Sequence, residues 1–383
     1  MVHCNTDRRI SFSGLPPRGC SAGIYVHIPF CRKKCGYCDF VSFPIDKISS
    51  YSPERYVDSL IKEFSSRLPA AAPDMPVTIY VGGGTPSVIS SRLLFKILFE
   101  LKHSKFAGKS AVKEFTVELN PESVSKDKLG VLKECGVDRL SFGAQSLDDR
   151  ILNILGRVHN VRDFLRAYRL ARETGFQNIN IDLIFGIPGQ SLDDFKDTLN
   201  KAISLSPEHI SAYSLSIETG TEFYLRGMEK DEETDAAMYE YVIKFLKDNG
   251  YSHYEISNFS KPGFECAHNV NYWLNGEYFG FGLSAASHLS GVRRENTGIF
   301  SDYIKGIYEN SEENLSPEKK IAETIILGLR MTDGVRLSRE VKKIYKHNIM
   351  SLVRQGLLKT SGDYVKLSDK GIIFADTVFR EFL

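Results

Sequence analysis

From Gly23 onward the chain alternates short runs of β-branched and aromatic residues with amphipathic stretches. That order makes parallel strands joined by crossover helices. The strand candidates are 23–28 (GIYVHI), 77–81 (VTIYV), 114–119 (EFTVEL), 138–142 (DRLSF), 179–185 (INIDLIF) and 209–215 (HISAYSL). Helices are expected near 53–68, 90–103, 125–135, 161–174 and 191–204. Ser90, Ser125 and Ser191 stand where an N-cap hydroxyl would accept a free backbone N–H of the first turn. Strands that are apolar along their length need helices on their faces, so the fold is α/β, either a barrel or a doubly wound sheet. Periodicity does not choose between the two.

After about residue 230 the order changes to a long helix near 232–249, an aromatic segment 251–283 and the acidic stretch SEENLSPEKK at 311–320. The acidic stretch reads as a domain boundary. Helices are expected near 317–330, around 338–356 and from about 369, with YVKLS as a short strand between. The expected organisation is a tail at 1–22, a core at 23–230, an extension at 231–314 and a small, mainly helical, winged-helix-like domain at 315–383. The tail has no hydrophobic periodicity and is rich in Pro, Gly, Ser and Arg, so it reads as poorly ordered, with a targeting role left open.

Among 383 residues, 49 are basic and 48 acidic, leaving a formal net charge of +1. Bulk charge therefore favours neither nucleic acid nor an anionic membrane, and any specificity must come from a local site. No apolar run approaches the roughly eighteen residues a spanning helix needs, and the first residues lack a secretory pattern, so the cytoplasm is the expected location.

The seven cysteines are Cys4, Cys20, Cys31, Cys35, Cys38, Cys135 and Cys266. Three of them crowd into YVHIPFCRKKCGYCDF at spacing C-x3-C-x2-C, directly after the first strand. In a reducing compartment such a group reads as metal binding before it reads as disulfide. A structural zinc site wants four protein ligands, and no His or fourth Cys follows at ligand spacing. Three thiolates on a four-iron cluster leave one iron open for chemistry.

The motif resembles the signature of the radical S-adenosylmethionine (SAM) superfamily. The resemblance implies a partial (β/α)6 barrel and a [4Fe–4S] cluster on Cys31, Cys35 and Cys38 whose open iron is chelated by SAM. It further implies that the reduced cluster can release a 5′-deoxyadenosyl radical, while the protein sets potential and geometry. Tyr37, between the last two cysteines, would pack against the adenine, and Tyr25 of YVHIPFC joins the cofactor-binding set. His27 reads as a packed core histidine.

After the second strand comes VGGGTPS, with Gly82, Gly83, Gly84 and Thr85. Consecutive glycines let backbone approach a ligand closely, although a tight turn explains them equally well. In this setting they resemble the segment that receives the SAM amino group. Glu118 in TVELNP, Gln145 in SFGAQS, Arg157 in LGRVH and Asp182 in INIDLIFGIPG are polar residues at or near strand ends. Burying them costs several kcal/mol unless they are paired, and ligand contact is a natural partner. Glu118 and Asp182 could accept from ribose hydroxyls or an amino group, and Arg157 could hold a carboxylate.

From Gly23 to the end, YVHIPFC, GGGTPS, ELNPES, RLSFGAQS, LGRVH, NINIDLIFGIPGQ, YEISNF and HNVNYW resemble, in order, the coproporphyrinogen oxidase-like branch of the superfamily. That branch holds the oxygen-independent coproporphyrinogen III oxidase, which decarboxylates two propionates, and heme chaperones of the HemW type. The oxidase carries a further cysteine two residues past the third ligand and a longer N-terminal segment. Here that position is Phe40 and only a short tail precedes the first strand. Both differences favour the chaperone group, which implies a heme-binding protein that lacks oxidase activity and delivers heme to an acceptor protein. A homodimer is compatible with the family, and nucleic acid is not an expected partner.

In HNVNYW, His268 stands near Tyr272 and Trp273, and the family associates this motif with heme. His268 is thus the candidate heme ligand, Cys266 a second one, and a hydrogen-bonded core histidine the plain alternative. Downstream, relatives often read G-x-G-P-G-A-H-S, whereas this chain has FGFGLSAASHL at 279–289. Ala286 occupies the position of the family's histidine, and the chain's own histidine falls at His288.

Overall fold

In the computed structural model the six expected strands are present as β1 (Ala22–Ile28), β2 (Val77–Gly83), β3 (Val112–Leu119), β4 (Arg139–Gln145), β5 (Asn178–Phe185) and β6 (His209–Ser214). The structure describes residues 9–10, 22–47, 52–68, 76–104 and 112–383. Most of the tail expected at 1–22, with Cys4 and Cys20, therefore lies outside the described residues. Its one described internal piece, Arg9–Ile10, pairs in parallel with Val335–Leu337 near the C-terminus.

The six strands lie side by side in chain order and every neighbouring pair is parallel. A doubly wound sheet would reverse its order at a switch point. This sheet does not, so the winding is that of a partial barrel. Beyond β6 it continues as the antiparallel strands Asn258–Ser260 and Ser252–Glu255. Beyond β1 come Tyr278–Phe281, parallel to it, and then Ala286–Leu289, Val292–Asn296 and Glu309–Asn314, all antiparallel.

Crossover helices cover the outside. The hydroxyls of Ser90, Ser125 and Ser191 accept from the N–H groups of Leu93, Lys128 and Asp194, and Ser191 completes a capping box. Ile24, Val26, Ile79, Val81, Val117, Leu140 and Ile181 are fully buried in the layer shared with those helices. The strands are not apolar throughout, however. Alternate positions of each strand form the inner face, and many of these are polar or aromatic, as in Thr78 and Tyr80, Glu114, Thr116 and Glu118, or Asn180 and Asp182. The barrel interior is lined for chemistry at one end and sealed by hydrogen-bonded polar groups at the other.

The acidic stretch 311–320 does not form a plain linker. Its first residues finish the edge strand Glu309–Asn314, and its last ones begin the helix Pro317–Leu329. Register places Glu313 beside Arg293 and Glu312 beside Arg294, with an Arg294–Glu312 ion pair at 2.9 Å. A row of carboxylates suits an exposed edge, where charge discourages further pairing. Beyond it, Ile325, Leu329, Leu337, Val341, Leu352, Val365 and Val378 form a separate core. Two helices, Arg339–Ile344 and Lys346–Arg354, precede the hairpin Leu358–Ser361 and Tyr364–Leu367.

Candidate functional site

The cysteine loop leaves the C-terminal end of β1. Phe30–Cys31 pairs with Phe43–Pro44, which closes the intervening loop carrying Cys35 and Cys38. His27 anchors it from below, its Nε2 hydrogen-bonded to the Val41 carbonyl at 2.8 Å and its Nδ1 to the Tyr25 hydroxyl at 3.1 Å. The expected packed histidine is therefore also a splint for the loop. The glycine segment is stitched alongside, with Gly84 N–H donating to the Ile28 carbonyl at 2.9 Å and Thr85 N–H to that of Phe30 at 2.7 Å.

That stitching needs glycine. Gly83 has φ +109°, and a Cβ there would lie 2.6 Å from His27 Nδ1. A Cβ on Gly84 would meet the Phe30 carbonyl oxygen at 2.7 Å and Cys31 Sγ at 3.0 Å. The close approach, rather than a bare turn, accounts for the glycines.

The three cysteines line one cavity of about 390 Å³ at the C-terminal mouth of the barrel, together with Tyr37, Gly83, Gly84 and Thr85. Glu118, Gln145, Arg157 and Asp182 line the same space from β3, β4, the segment after β4 and β5. Cys31 Sγ receives a hydrogen bond from Thr85 Oγ1 at 3.4 Å, and Cys35 Sγ one from Arg157 Nη1 at 3.5 Å. Burial pushes the Cys31 thiol up and the Cys38 thiol up to about 11. As thiolates they would need a cationic partner in this place, which is what an iron centre supplies. Among the described residues no three such side chains stand close enough to share a single metal ion. A cluster takes each thiolate on a different iron, so its ligands stand farther apart.

Glu118 accepts from the Tyr80 hydroxyl at 2.8 Å and from Gly83 N–H at 3.2 Å. Burial nonetheless pushes its carboxyl up to about 7. Asp182, also raised by burial, accepts from Ser141 at 2.9 Å and Asn180 at 2.8 Å. Arg157 donates to Asn120 Oδ1 at 2.7 Å and the Gly143 carbonyl at 3.0 Å, while its buried Nε has no partner among the described residues. Gln145 sits at φ 64°, in the left-handed region rare for a side chain of its size, and so is held in place at the cavity wall.

Asn120 was legible only as part of ELNP. It proves central, because its amide joins Thr85 Oγ1 at 2.6 Å to Arg157 and so ties the glycine segment to the arginine. Tyr80, Ser141 and Tyr213 also line the cavity. Alternation along the strands was the available signal for them.

Tyr25 and His268 are not in this cavity. Tyr25 stacks on Tyr80 with centroids 6.3 Å apart and lines a different space. HNVNYW forms the helix Ala267–Trp273, which plugs the opposite, N-terminal end of the barrel. His268 is 1 % exposed, with Nδ1 sharing a hydrogen bond with the Thr78 hydroxyl and Nε2 with that of Tyr272, both at 2.9 Å. Burial lowers its pKa to about 4, so the ring is neutral and both nitrogens are engaged. Cys266 is fully buried and donates to Glu114 at 3.3 Å.

Residues 25–202 match the model of the radical SAM superfamily, and residues 315–374 that of the HemN C-terminal domain. The protein named heme chaperone HemW from Bacillus subtilis is 38% identical over 378 residues, covering 94% of this chain and 98% of its own length. Its namesake from Lactococcus lactis is 36% identical, with 94% and 96% covered, and that from Escherichia coli 30%, with 96% and 99%. Among solved structures, coproporphyrinogen III oxidase (HemN) from Escherichia coli superposes with a TM-score of 0.80 over 95% of this chain and 90% of that one. At 22% identity that likeness is one of fold.

Proposed function

Because the chain belongs to the HemW family of radical SAM proteins, we propose that it is a heme chaperone that binds heme and hands it to an acceptor protein. In this reading Cys31, Cys35 and Cys38 hold a [4Fe–4S] cluster, and SAM occupies the rest of the mouth cavity. The observation that carries it is likeness over nearly the whole length to proteins bearing that name. Phe40, 61% exposed on the cavity rim, supports it, since it fills the position of the oxidase's further cysteine.

The residues fit the cofactor. In this reading Arg157, with its unpartnered Nε, would meet the carboxylate of SAM and the backbone of Gly83 and Gly84 its amino group. Tyr37 offers a ring for the adenine, and Glu118, Gln145 and Asp182 offer polar partners for the ribose. When bound, a reduced cluster would supply an electron to the sulfonium. Tyr25 supports this site through His27 and Tyr80 rather than by contact. HNVNYW would serve heme through Tyr272 and Trp273, with His268 holding the helix in the barrel.

Heme titration of the anaerobically reconstituted protein tests the reading. Stoichiometric saturation of the Soret change is expected, with no protoporphyrinogen formed from coproporphyrinogen in the presence of SAM and reductant. Absence of saturable binding would refute the chaperone function, and product formation would restore the oxidase.

A pH dependence follows from Glu118. If its ionised carboxylate accepts from the ribose hydroxyls, SAM affinity rises as pH rises through about 7, because the protonated form has lost acceptor capacity. Calorimetric SAM titration between pH 6 and 8 checks this, and Glu118→Gln should flatten the profile. An unchanged profile in the variant would assign the titration elsewhere.

Among the described residues no helix is long and apolar enough to cross a membrane. A cytoplasmic location, a homodimer and a heme-requiring acceptor complete the proposal, as do the boundaries near residues 230 and 315.

A further inference from the structure

Between β6 and the helix Glu232–Asp248 the chain makes an excursion, residues 215–231, at the mouth of the barrel. Leu215, Ser216 and Glu218 near its start line the cysteine cavity. Its two roots are tied down: Leu215 N–H donates to the Phe185 carbonyl at 2.8 Å, and Lys230 Nζ donates to Ser214 Oγ at 3.0 Å and to Asp235 at 3.1 Å. At its tip lies the short helix Glu222–Leu225, capped by the Thr221 hydroxyl, which accepts from Tyr224 N–H. In that helix Tyr224 and Leu225 are 50% and 76% exposed, whereas Phe223 is 1% exposed. One ring therefore anchors the tip.

Phe223 is anchored on the cysteine loop. Cys35 to Cys38 form a turn closed by Cys38 N–H, which donates to the Cys35 carbonyl at 3.2 Å. The Gly36 carbonyl within that turn accepts from Phe223 N–H at 2.9 Å, one of the free donors of a helix's first turn. The Phe223 ring meets that of Tyr37 edge to face at 6.3 Å, and packs with Ile151, Leu155, Ile184, Ile187 and Leu215 in a small core of its own.

Gly36 is buried in this contact and has no room for a side chain, because a Cβ would lie 2.7 Å from Phe223 Cε1. The Gly36 nitrogen also lies 3.7 Å from the place of a Cβ on Gly156, next to the Arg157 that donates to Cys35. The pairing of Phe30–Cys31 with Phe43–Pro44 holds the ends of the loop, while Cys35 and Cys38 stand in its middle. Phe223 and Gly156 hold that middle. Groups that orient metal ligands without touching the metal are worth about ten- to a hundredfold in affinity.

We infer, resting on the reading of Cys31, Cys35 and Cys38 as cluster ligands, that Phe223 is a positioning residue for the metal centre. Through the Gly36 carbonyl and the Tyr37 ring it fixes the turn that presents Cys35 and Cys38, and so couples the excursion 215–231 to the cluster.

Four variants of the full chain test it: Phe223→Ala, Phe223→Leu, Gly36→Ala and the double variant Gly36→Ala with Phe223→Ala. Hydrogen exchange of residues 32–38 is followed before reconstitution. Iron content, electron paramagnetic resonance of the reduced cluster with and without SAM, and SAM affinity are measured after it. Phe223→Ala should speed exchange in the loop and weaken SAM binding, each by about tenfold, and alter the resonance. Phe223→Leu, which keeps an apolar contact with Tyr37, should recover most of the wild-type behaviour. Gly36→Ala should resemble Phe223→Ala, because its methyl group strikes the ring. The double variant should lie closer to the wild type than Gly36→Ala does, since removing the ring makes room for the methyl group. A general loss of stability would not give that recovery, so a folding defect in one variant does not leave the question open. Wild-type exchange, resonance and SAM affinity in Phe223→Ala, or a double variant no closer to the wild type than Gly36→Ala, would overturn the role of Phe223 while leaving the cluster in place. A wild-type protein that takes up no iron would overturn the cluster reading and the role of Phe223 with it.

Discussion

Cys35→Ala is expected to reduce the iron content of the reconstituted protein from about four per chain to near none. Cys35 stands on a loop held at both ends by the pairing of Phe30–Cys31 with Phe43–Pro44, and its sulfur faces Arg157 at 3.5 Å. With three protein thiolates available, the cluster has no spare ligand, so losing one leaves two irons without protein support. Asp39 lies nearby but would be a poor replacement, because an oxygen donor is a hard ligand for a soft iron–sulfur centre. SAM binding should fall with the iron, since the open iron is one of its anchors.

Heme binding should survive, because the helix Ala267–Trp273 that carries HNVNYW contributes no residue to the cysteine cavity. Iron and sulfide analysis, SAM calorimetry and heme titration on one preparation separate these outcomes. Full iron retention would remove Cys35 from the ligand set, and loss of heme binding together with iron would show that the two sites depend on one another.

Glu114→Ala should destabilise the barrel by about 1–3 kcal/mol, the cost of leaving buried donors without their acceptor. Glu114 is 5% exposed and works at the closed end of the barrel. Its carboxylate accepts from Ala267 N–H at 2.7 Å, His268 N–H at 3.3 Å and the Cys266 thiol at 3.3 Å, so it caps the plug helix from across the interior. It also offsets the charge of Arg139, 2% exposed, whose Nε has no partner among the described residues. Alanine would remove the cap and one of the carboxylates, with Glu118 and Asp182, whose charge acts on Arg139. A lost cap alone typically costs about 1 kcal/mol, and the remainder comes from the other unmet donors and the weaker field at Arg139.

Thermal unfolding followed by far-ultraviolet circular dichroism measures the loss, and Glu114→Gln, which keeps an acceptor oxygen but no charge, should fall between. Heme affinity should drop in Glu114→Ala, because Tyr272 and Trp273 ride on the helix that loses its cap. A wild-type melting temperature would mean that Arg139 is neutralised by other groups.

The sequence by itself determined the six parallel strands, their crossover helices with serine caps, and the three cysteines as a metal loop. Each is written in neighbouring residues: the period of apolar positions, a hydroxyl before a helix, ligands within eight positions. The candidate SAM residues were legible for the same reason, since Glu118, Gln145, Arg157 and Asp182 are polar interruptions at or near ends of otherwise apolar runs. Only the tertiary structure decided that the sheet winds as a partial barrel, because strand order depends on which distant segments pair. It also decided that carboxylates at 309–314 finish a sheet edge, where arginines of the neighbouring strand meet them.

The two histidines near the aromatic segment separate the levels most clearly. From spacing alone His268 is the better ligand and His288 a misplaced one. In three dimensions Thr78, 190 residues away in sequence, and Tyr272 occupy both nitrogens of the first, while the second keeps a buried nitrogen without a partner. Whether a polar atom is satisfied is a property of its neighbours in space, and those neighbours come from segments that local pattern cannot bring together.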